Sequence, residues 1–311
     1  ITFRADDGLD IDIRGKSLNV AHFFEERDEE FSEFPPLNLS LNVDRLQVLE
    51  GSAFEQVSGT FEHGEKIWRS IFLNARMADT GTLNFHILPD GDKRRLTLYS
   101  NNAGEFLRRF KIYPNMLVGD MDLSGTLGDG FDPDAFKGEL EINGYEIVDA
   151  PILAKMLTLT SPTGIVETMS GEGINFDIFS APFHYSSGVA KVAEGGAFGD
   201  AVGLTFEGVL DFNADTADLV GTIIPAYAIN SIWGKIPLLG YLLTGEEKGG
   251  GVFAATFKVK GGFDNPEITV NPLAALAPGV FRKIFELFGS DGPDVSEVED
   301  DISEQEEREN E

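Results

Sequence analysis

Strict alternation of apolar and polar residues recurs along this chain, and it limits the possible folds more than any other feature. Leu9, Ile11 and Ile13 alternate with Asp10, Asp12 and Arg14; Leu37, Leu39, Leu41 and Val43 alternate with Asn38, Ser40 and Asn42. Successive side chains of an extended strand point to opposite faces, so a period of two marks a strand with one apolar and one wet face. The pattern returns at Leu83, Phe85 and Ile87, at Leu96 and Leu98, and at Met121 and Leu123. It returns again at Phe136, Leu140 and Ile142, which alternate with Lys137, Glu139 and Glu141. Later strands are marked by Ile174, Phe176 and Ile178, by Leu204, Phe206, Leu210 and Phe212, and by Phe253, Phe257 and Val259. Turn signals such as Pro89-Asp90-Gly91-Asp92, Gly128-Asp129-Gly130 and Asp132-Pro133-Asp134 separate them at hairpin spacing. The first half therefore reads as an antiparallel meander.

A few segments break the pattern. The spacing predicts helices over Val20 to Phe34 and Glu105 to Phe110, and a short one over Pro151 to Leu159, where proline suits the first helical position. Pro278 to Phe288 is helical by spacing, with Phe281, Ile284, Phe285 and Phe288 apolar and Arg282 and Lys283 charged. Pro225 to Leu243 is mostly apolar, yet Lys235, two prolines and two glycines make a continuous spanning helix improbable. From Ser290 to Glu311 hydrophobicity collapses; residues 291–311 hold eleven Asp or Glu against one Arg, the composition of a disordered acidic tail.

Charge and motif content narrow the function. Asp and Glu number 53 against 24 Lys and Arg, a net charge of -29 that opposes binding to phosphate backbones, so nucleic acid is not an expected partner. Without cysteine there are no disulfides, zinc-thiolate sites or cysteine nucleophiles. His22, His63, His86 and His184 are scattered, with no pair at helical zinc spacing. Gly195-Gly196 and Gly249-Gly250-Gly251 lack the Lys-Ser/Thr of a phosphate loop, and no nucleophile elbow is present. Asp120, Asp122, Ser124 and Gly125 open like a calcium loop, but the twelfth position is Phe131, and a strand with a polar face is the simpler reading. The sequence thus predicts a protein that is not an enzyme, with no catalytic residue, metal or cofactor.

The apolar strand faces outnumber the helices available to cover them. On pattern alone a sandwich of two sheets would cover both faces. The other solution is a long curved sheet whose apolar concave face holds acyl chains, each buried methylene contributing about 0.8 kcal/mol.

Three runs in the second half decide the expectation between these. YEIVDAPILAKMLTLTSPTGIVETMSGEGINFDIFSAPF (Tyr145 to Phe183), GTIIPAYAINSIWGKIPLLGYLLTG (Gly221 to Gly245) and GGGVFAATFKVKGGFDNPEITVNPLAALAPGVFRKIFELF (Gly249 to Phe288) closely resemble the C-terminal region of the AsmA-like envelope proteins of Gram-negative bacteria, YhdP type. The resemblance covers about residues 105–288. It implies a mainly β fold: an extended, twisted antiparallel sheet curved into a hydrophobic groove, with short helices capping its C-terminal end. It further implies a β-groove segment over 1–144, an AsmA-like C-terminal module over 145–289, and the tail over 290–311.

The function so implied is passage of phospholipid between inner and outer membranes, without enzymatic chemistry, in the periplasm. The chain opens at Ile1 within a strand, which reads as a piece of a longer protein whose inner-membrane anchor lies in a preceding part. An outer-membrane or envelope protein would meet the C-terminal end. The expected lining is Leu39, Leu41, Leu83, Phe85, Ile87, Leu96, Leu98, Met121, Leu123, Leu140, Ile142, Ile174, Phe176, Ile178, Phe253, Phe257 and Val259. Tyr227, Ile232, Trp233, Ile236, Pro237, Leu238, Leu239, Tyr241, Phe281, Arg282 and Lys283 are expected to cap the groove or contact a membrane, where aromatic rings suit the headgroup level. The rival function is a periplasmic scaffold or adaptor that assists outer-membrane protein or envelope assembly through sheet-edge pairing.

Overall fold

The alternating segments become strands, and those described all join one sheet. In the computed structural model the described residues are 1–3, 8–22, 35–64, 67–77, 81–128, 132, 134–149, 153, 173–199, 202–225 and 255–271. They form β1 (Thr2–Phe3), β2 (Leu9–Asn19), β3 (Leu37–Leu49), β4 (Ser52–His63), β5 (Trp68–Met77), β6 (Gly81–Asp90) and β7 (Lys93–Ser100), then helix α1 (Ala103–Arg109). After the helix come β8 (Met116–Leu127), β9 (Phe136–Ile147), β10 (Ile174–Ser186), β11 (Val189–Phe198), β12 (Val202–Asp211), β13 (Thr216–Pro225), β14 (Ala255–Gly262) and β15 (Glu267–Asn271). The fifteen strands lie in chain order in one long, open, curved sheet. Among the described residues there is no second sheet, so the sandwich is not the solution adopted.

Every neighbouring pair is antiparallel except β2 and β3, which run parallel from Leu9 opposite Leu37 to Asn19 opposite Gln47. This corrects the antiparallel meander expected of the first half at one pair, the one flanking the helix expected over Val20 to Phe34. Parallel neighbours cannot be joined by a tight turn and need a crossover, and residues 20–36 supply it. Ala21 and His22 begin it in helical conformation. The rest of the helix expected over Val20 to Phe34 lies outside the described residues. So do the helix expected over Pro278 to Phe288, the tail, and all but Leu153 of the helix expected over Pro151 to Leu159.

The alternation that predicts the strands breaks where the sheet bends. Buried Phe54 and Val57 in β4, and buried Ile142 and Tyr145 in β9, stand three residues apart, an odd spacing that would put them on opposite faces of a regular strand. Left-handed residues restore the side: Gln56 at φ 49°, Val118 and Gly119 at 50° and 91°, and Gly144 at 61°. A Cβ on Gly119 would meet both Tyr145 Cβ and Ile142 Cγ2, at 2.9 and 3.2 Å, so these two side chains share one face across the break. Curvature then gathers the inward side chains into a single cluster from Leu41 in β3 to Phe257 in β14.

Helix α1 closes one edge of the sheet between β4 and β8. Asn102 Oδ1 accepts from the Glu105 backbone N–H at 2.9 Å, capping the first turn, and Glu105 accepts from Arg108 and Arg109 at 2.6 and 2.7 Å. Phe106 and Leu107 are buried on the sheet side. Arg109 Nη1 donates to the Ala53 carbonyl, while Ser52 Oγ donates to the Arg109 carbonyl. The helix begins two residues before the predicted start at Glu105 and ends at Arg109, with Phe110 as its C-cap. The boundary drawn between 144 and 145 falls inside β9, and the sheet is continuous across it.

Candidate functional site: an apolar groove

Directly opposite residues of neighbouring strands share a face, so the register converts the strand pattern into rows running across the whole sheet. One row reads Ile11, Leu39, Phe61, Ile71, Ile87, Leu96, Gly125, Gly138, Phe183, Val192, Gly208, Leu219, Val259 and Ile268. It passes through every strand from β2 to β15 without one polar side chain, and each of its members is buried or half-buried. At the usual strand spacing the row is about 60 Å long.

Two further rows flank it. Ile13, Leu41, Gly59, Leu73, Phe85, Leu98, Leu123, Leu140 and Ala181 connect β2 to β10. Ala75, Leu83, Ser100, Met121, Ile142, Phe179, Ala197, Leu204, Ile223 and Ala255 connect β5 to β14, with Ser100 as their one hydroxyl. A shorter row at the C-terminal end alternates Gly195, Phe206, Gly221, Phe257 and Val270. The rows together make the floor of a groove.

The opposite face is polar. Arg14, Asn42, Ser58, Asn74, Asn84, Tyr99, Asp122, Glu141 and Ser180 form one of its rows. The Glu141 carboxyl is pushed above its ordinary value, first by burial and then by the like charges of Glu139 and Asp122. Ser180 Oγ donates to Glu139 Oε1 at 2.5 Å. Asp120, Asp122 and Ser124, the calcium-like motif, occupy alternate positions of β8 on this face, along an extended strand.

Polar groups on the groove side sit at its margins. Arg94 lies opposite Leu127 and Pro89 near the tight-turn edge, is 9% exposed, and donates to the Trp68 carbonyl at 2.9 Å. Burial lowers its guanidinium pKa, an effect offset in part by Asp134. Near the helix edge Tyr145 stacks on Phe176 with centroids 5.1 Å apart and planes 4° from parallel. Its phenol pKa is raised, by burial first and by Tyr113 second.

Of the expected lining residues, Leu39, Ile87, Leu96 and Val259 stand in the unbroken row. Leu41, Phe85, Leu98, Leu123 and Leu140 stand in the second row, and Leu83, Met121 and Ile142 in the third. Phe257 belongs to the short C-terminal row. Ile174 and Phe176 lie opposite Ile147 and Tyr145, on the groove side by virtue of the break at Gly144. Ile178 is a correction. It pairs with Asn143, which pairs with Asp120, so its row belongs to the polar face, because β10 changes side between Phe176 and Phe179 alongside the break in β9. Phe253 and the cap set Tyr227, Ile232, Trp233, Ile236, Pro237, Leu238, Leu239, Tyr241, Phe281, Arg282 and Lys283 lie outside the described residues.

The register adds Phe61, Leu73, Phe179, Phe183, Leu219 and Ile268 to the lining. In β5 the signal is masked because Ile71, Phe72 and Leu73 are consecutive and apolar, with Phe72 exposed on the polar side. Among the described residues no helix is long and apolar enough to cross a membrane. No protein-family model, curated protein or solved structure gives a significant match to the chain.

Proposed function

We propose that the apolar rows form a groove that shields the acyl chains of phospholipid while the headgroups remain in water, and that the chain belongs to a periplasmic conduit between inner and outer membranes. The observation that carries this reading is the unbroken row from Ile11 to Ile268. A pocket for one ligand ends in walls, whereas this floor repeats the same chemistry at each strand. An acyl chain that advances by one strand spacing exchanges one set of apolar contacts for another like it. The gain from shielding a whole chain is on the order of 10 kcal/mol, yet the difference between successive positions is small. That combination favours occupancy and movement together, and it requires no reacting group.

The resemblance of residues 145–183, 221–245 and 249–288 to AsmA-like proteins supports the membrane direction and the periplasmic setting. In this reading phospholipid is the cargo, an inner-membrane anchor lies outside this chain, and an envelope protein meets its C-terminal end. Gently purified protein should yield near-stoichiometric phospholipid by mass spectrometry of organic extracts. Photo-crosslinkers at Phe85, Leu123 and Phe257 should capture it, and crosslinkers at His86, Asp122 and Lys258 should not. A lipid-free protein without face preference would overturn the conduit and favour the scaffold or adaptor.

A further inference from the structure

The groove floor contains several large aromatic residues, and a phenyl ring standing upright on a strand would obstruct anything moving along it. Glycine is placed to prevent this. A Cβ added to Gly195 would fall within 2.7 Å of three atoms of the Phe206 ring, and those are its three nearest neighbours. Cβ atoms on Gly138 and Gly125 would lie 2.5 and 2.7 Å from Cζ of Phe136, and one on Gly221 would lie 2.5 Å from Cζ of Phe257, although at these three positions a backbone oxygen of the adjoining strand is nearer still. Carbon atoms in contact are normally about 3.5–4.0 Å apart. At Gly195 the ring alone occupies the space a side chain would take, and at Gly125, Gly138 and Gly221 it does so together with the adjoining backbone.

The arrangement repeats. Phe136 covers two glycines of the unbroken row, while Phe206 and Phe257 alternate with Gly195 and Gly221 in the C-terminal row. Each of the latter two rings leans onto the strand that precedes its own. Phe206 is also stacked on Phe179, with centroids 5.7 Å apart and planes 29° from parallel, which extends its plate onto β10.

Resting on the acyl-chain reading above, we propose that the phenyl-on-glycine pairs hold the rings down, set the depth of the groove, and fit it to flexible, unbranched acyl chains in preference to rigid fused-ring lipids. Neighbouring strands of a sheet rotate by roughly 20–25° from one to the next, so a floor about 15 Å long turns by about 60–75°. A methylene chain follows such a surface by bond rotation, but a planar fused-ring body cannot.

Gly195 gives the cleanest test, because the three nearest neighbours of its added Cβ all belong to the Phe206 ring. Fluorescence titration of the full chain with cis-parinaric acid, a straight-chain probe, and with dehydroergosterol, a rigid sterol probe, reads both parts. The wild type should bind the first and not the second. Gly195→Ala should weaken cis-parinaric acid binding by about fivefold or more through the lifted ring. The double variant Gly195→Ala with Phe206→Leu should return to within about twofold of wild type, because the shorter side chain gives the space back. Thermal melts establish that each variant is folded, and the double variant carries the test if the single one is not.

Wild-type binding with no loss in Gly195→Ala, or loss without recovery in the double variant, overturns the role of the plates. Equal affinity for the sterol overturns the chain preference. A wild type that binds neither probe overturns the lipid reading itself.

Discussion

A charge placed on the groove floor separates passage from occupancy. Leu123 is half-buried in the second row, between Leu98 and Leu140, with apolar partners on both neighbouring strands. Replacing it with aspartate removes part of one leucine's burial, about 1 kcal/mol of stability, which a sheet of this size should withstand. The effect on cargo is larger. An acyl chain crossing this point would have to cover an unpaired carboxylate or force its protonation, costing about 3 kcal/mol or more. At 1.4 kcal/mol per factor of ten, transfer past that strand should slow by about 100-fold. The floor on either side is unchanged, so copurifying phospholipid should fall by no more than about half in a groove of several equivalent stations. The assay is transfer of a fluorescent phospholipid between donor and acceptor vesicles, paired with extraction and mass spectrometry. Ser124→Asp, one residue away on the polar face, is the control and should transfer like wild type. A folded Leu123→Asp protein that transfers at the wild-type rate would refute the argument that the apolar face is the path.

Other expectations concern the frame that holds this face. Phe176→Ala should destabilise the fold by about 3–5 kcal/mol in urea unfolding, because the ring is fully buried and stacked on Tyr145. Asn102→Ala should cost about 1 kcal/mol by removing the cap of α1, seen as a lower melting temperature. Glu141→Gln should stabilise the protein at neutral pH and lose that advantage on acidification. The folded-state pKa of Glu141 is raised, so its ionisation opposes folding above the unfolded value near 4.5 and has no effect well below it. Melting temperatures of the two proteins should converge at about pH 4 and separate toward about pH 7; a gap independent of pH would assign the effect to packing.

Strand existence was legible in β2, β3, β6 to β10, β12 and β14 because apolar residues recur there at alternate positions over several residues. The helix at Glu105 was legible too, since Phe106 and Phe110 stand four residues apart. Sidedness was less so. The shifts at Gln56, Val118 and Gly144 depend on left-handed backbone that one residue adopts because of its neighbours, and only Gly119 and Gly144 advertise that freedom in the sequence. Ile178 lies on the polar face for the same reason, since period two does not carry across a point where the strand turns over. The parallel pairing of β2 with β3 was hidden as well, because residues 20–36 offer a helix pattern but no statement of which edge it returns to. In β11 the Gly195-Gly196 pair, and in β13 the adjacent apolar pairs Leu219-Val220 and Ile223-Ile224, keep a period from showing. The site itself is a property of register. Leu96, Gly125, Gly138 and Phe183 come from four strands, and nothing local in any of them says they stand in line.

Register also explains why so acidic a chain can carry so large an apolar face. A floor about 60 Å long and several residues wide far exceeds the few hundred Å² that soluble monomers commonly expose. Curvature covers part of it, which is why residues such as Val43 and Met121 are each only 2% exposed although they belong to a single sheet. The remainder is half-buried, open enough to be entered and too apolar to be left to water. The polar face carries Asp122, Glu139 and Glu141 within three neighbouring positions of two strands, at the expense of a raised carboxyl pKa. That crowding does nothing for the stability of one molecule. It does make the back of one sheet repel the back of another. On the proposed reading, acyl chains are narrow enough to enter a curved apolar floor that the charged back of a second sheet would avoid, so charge and curvature together would favour lipid as the occupant.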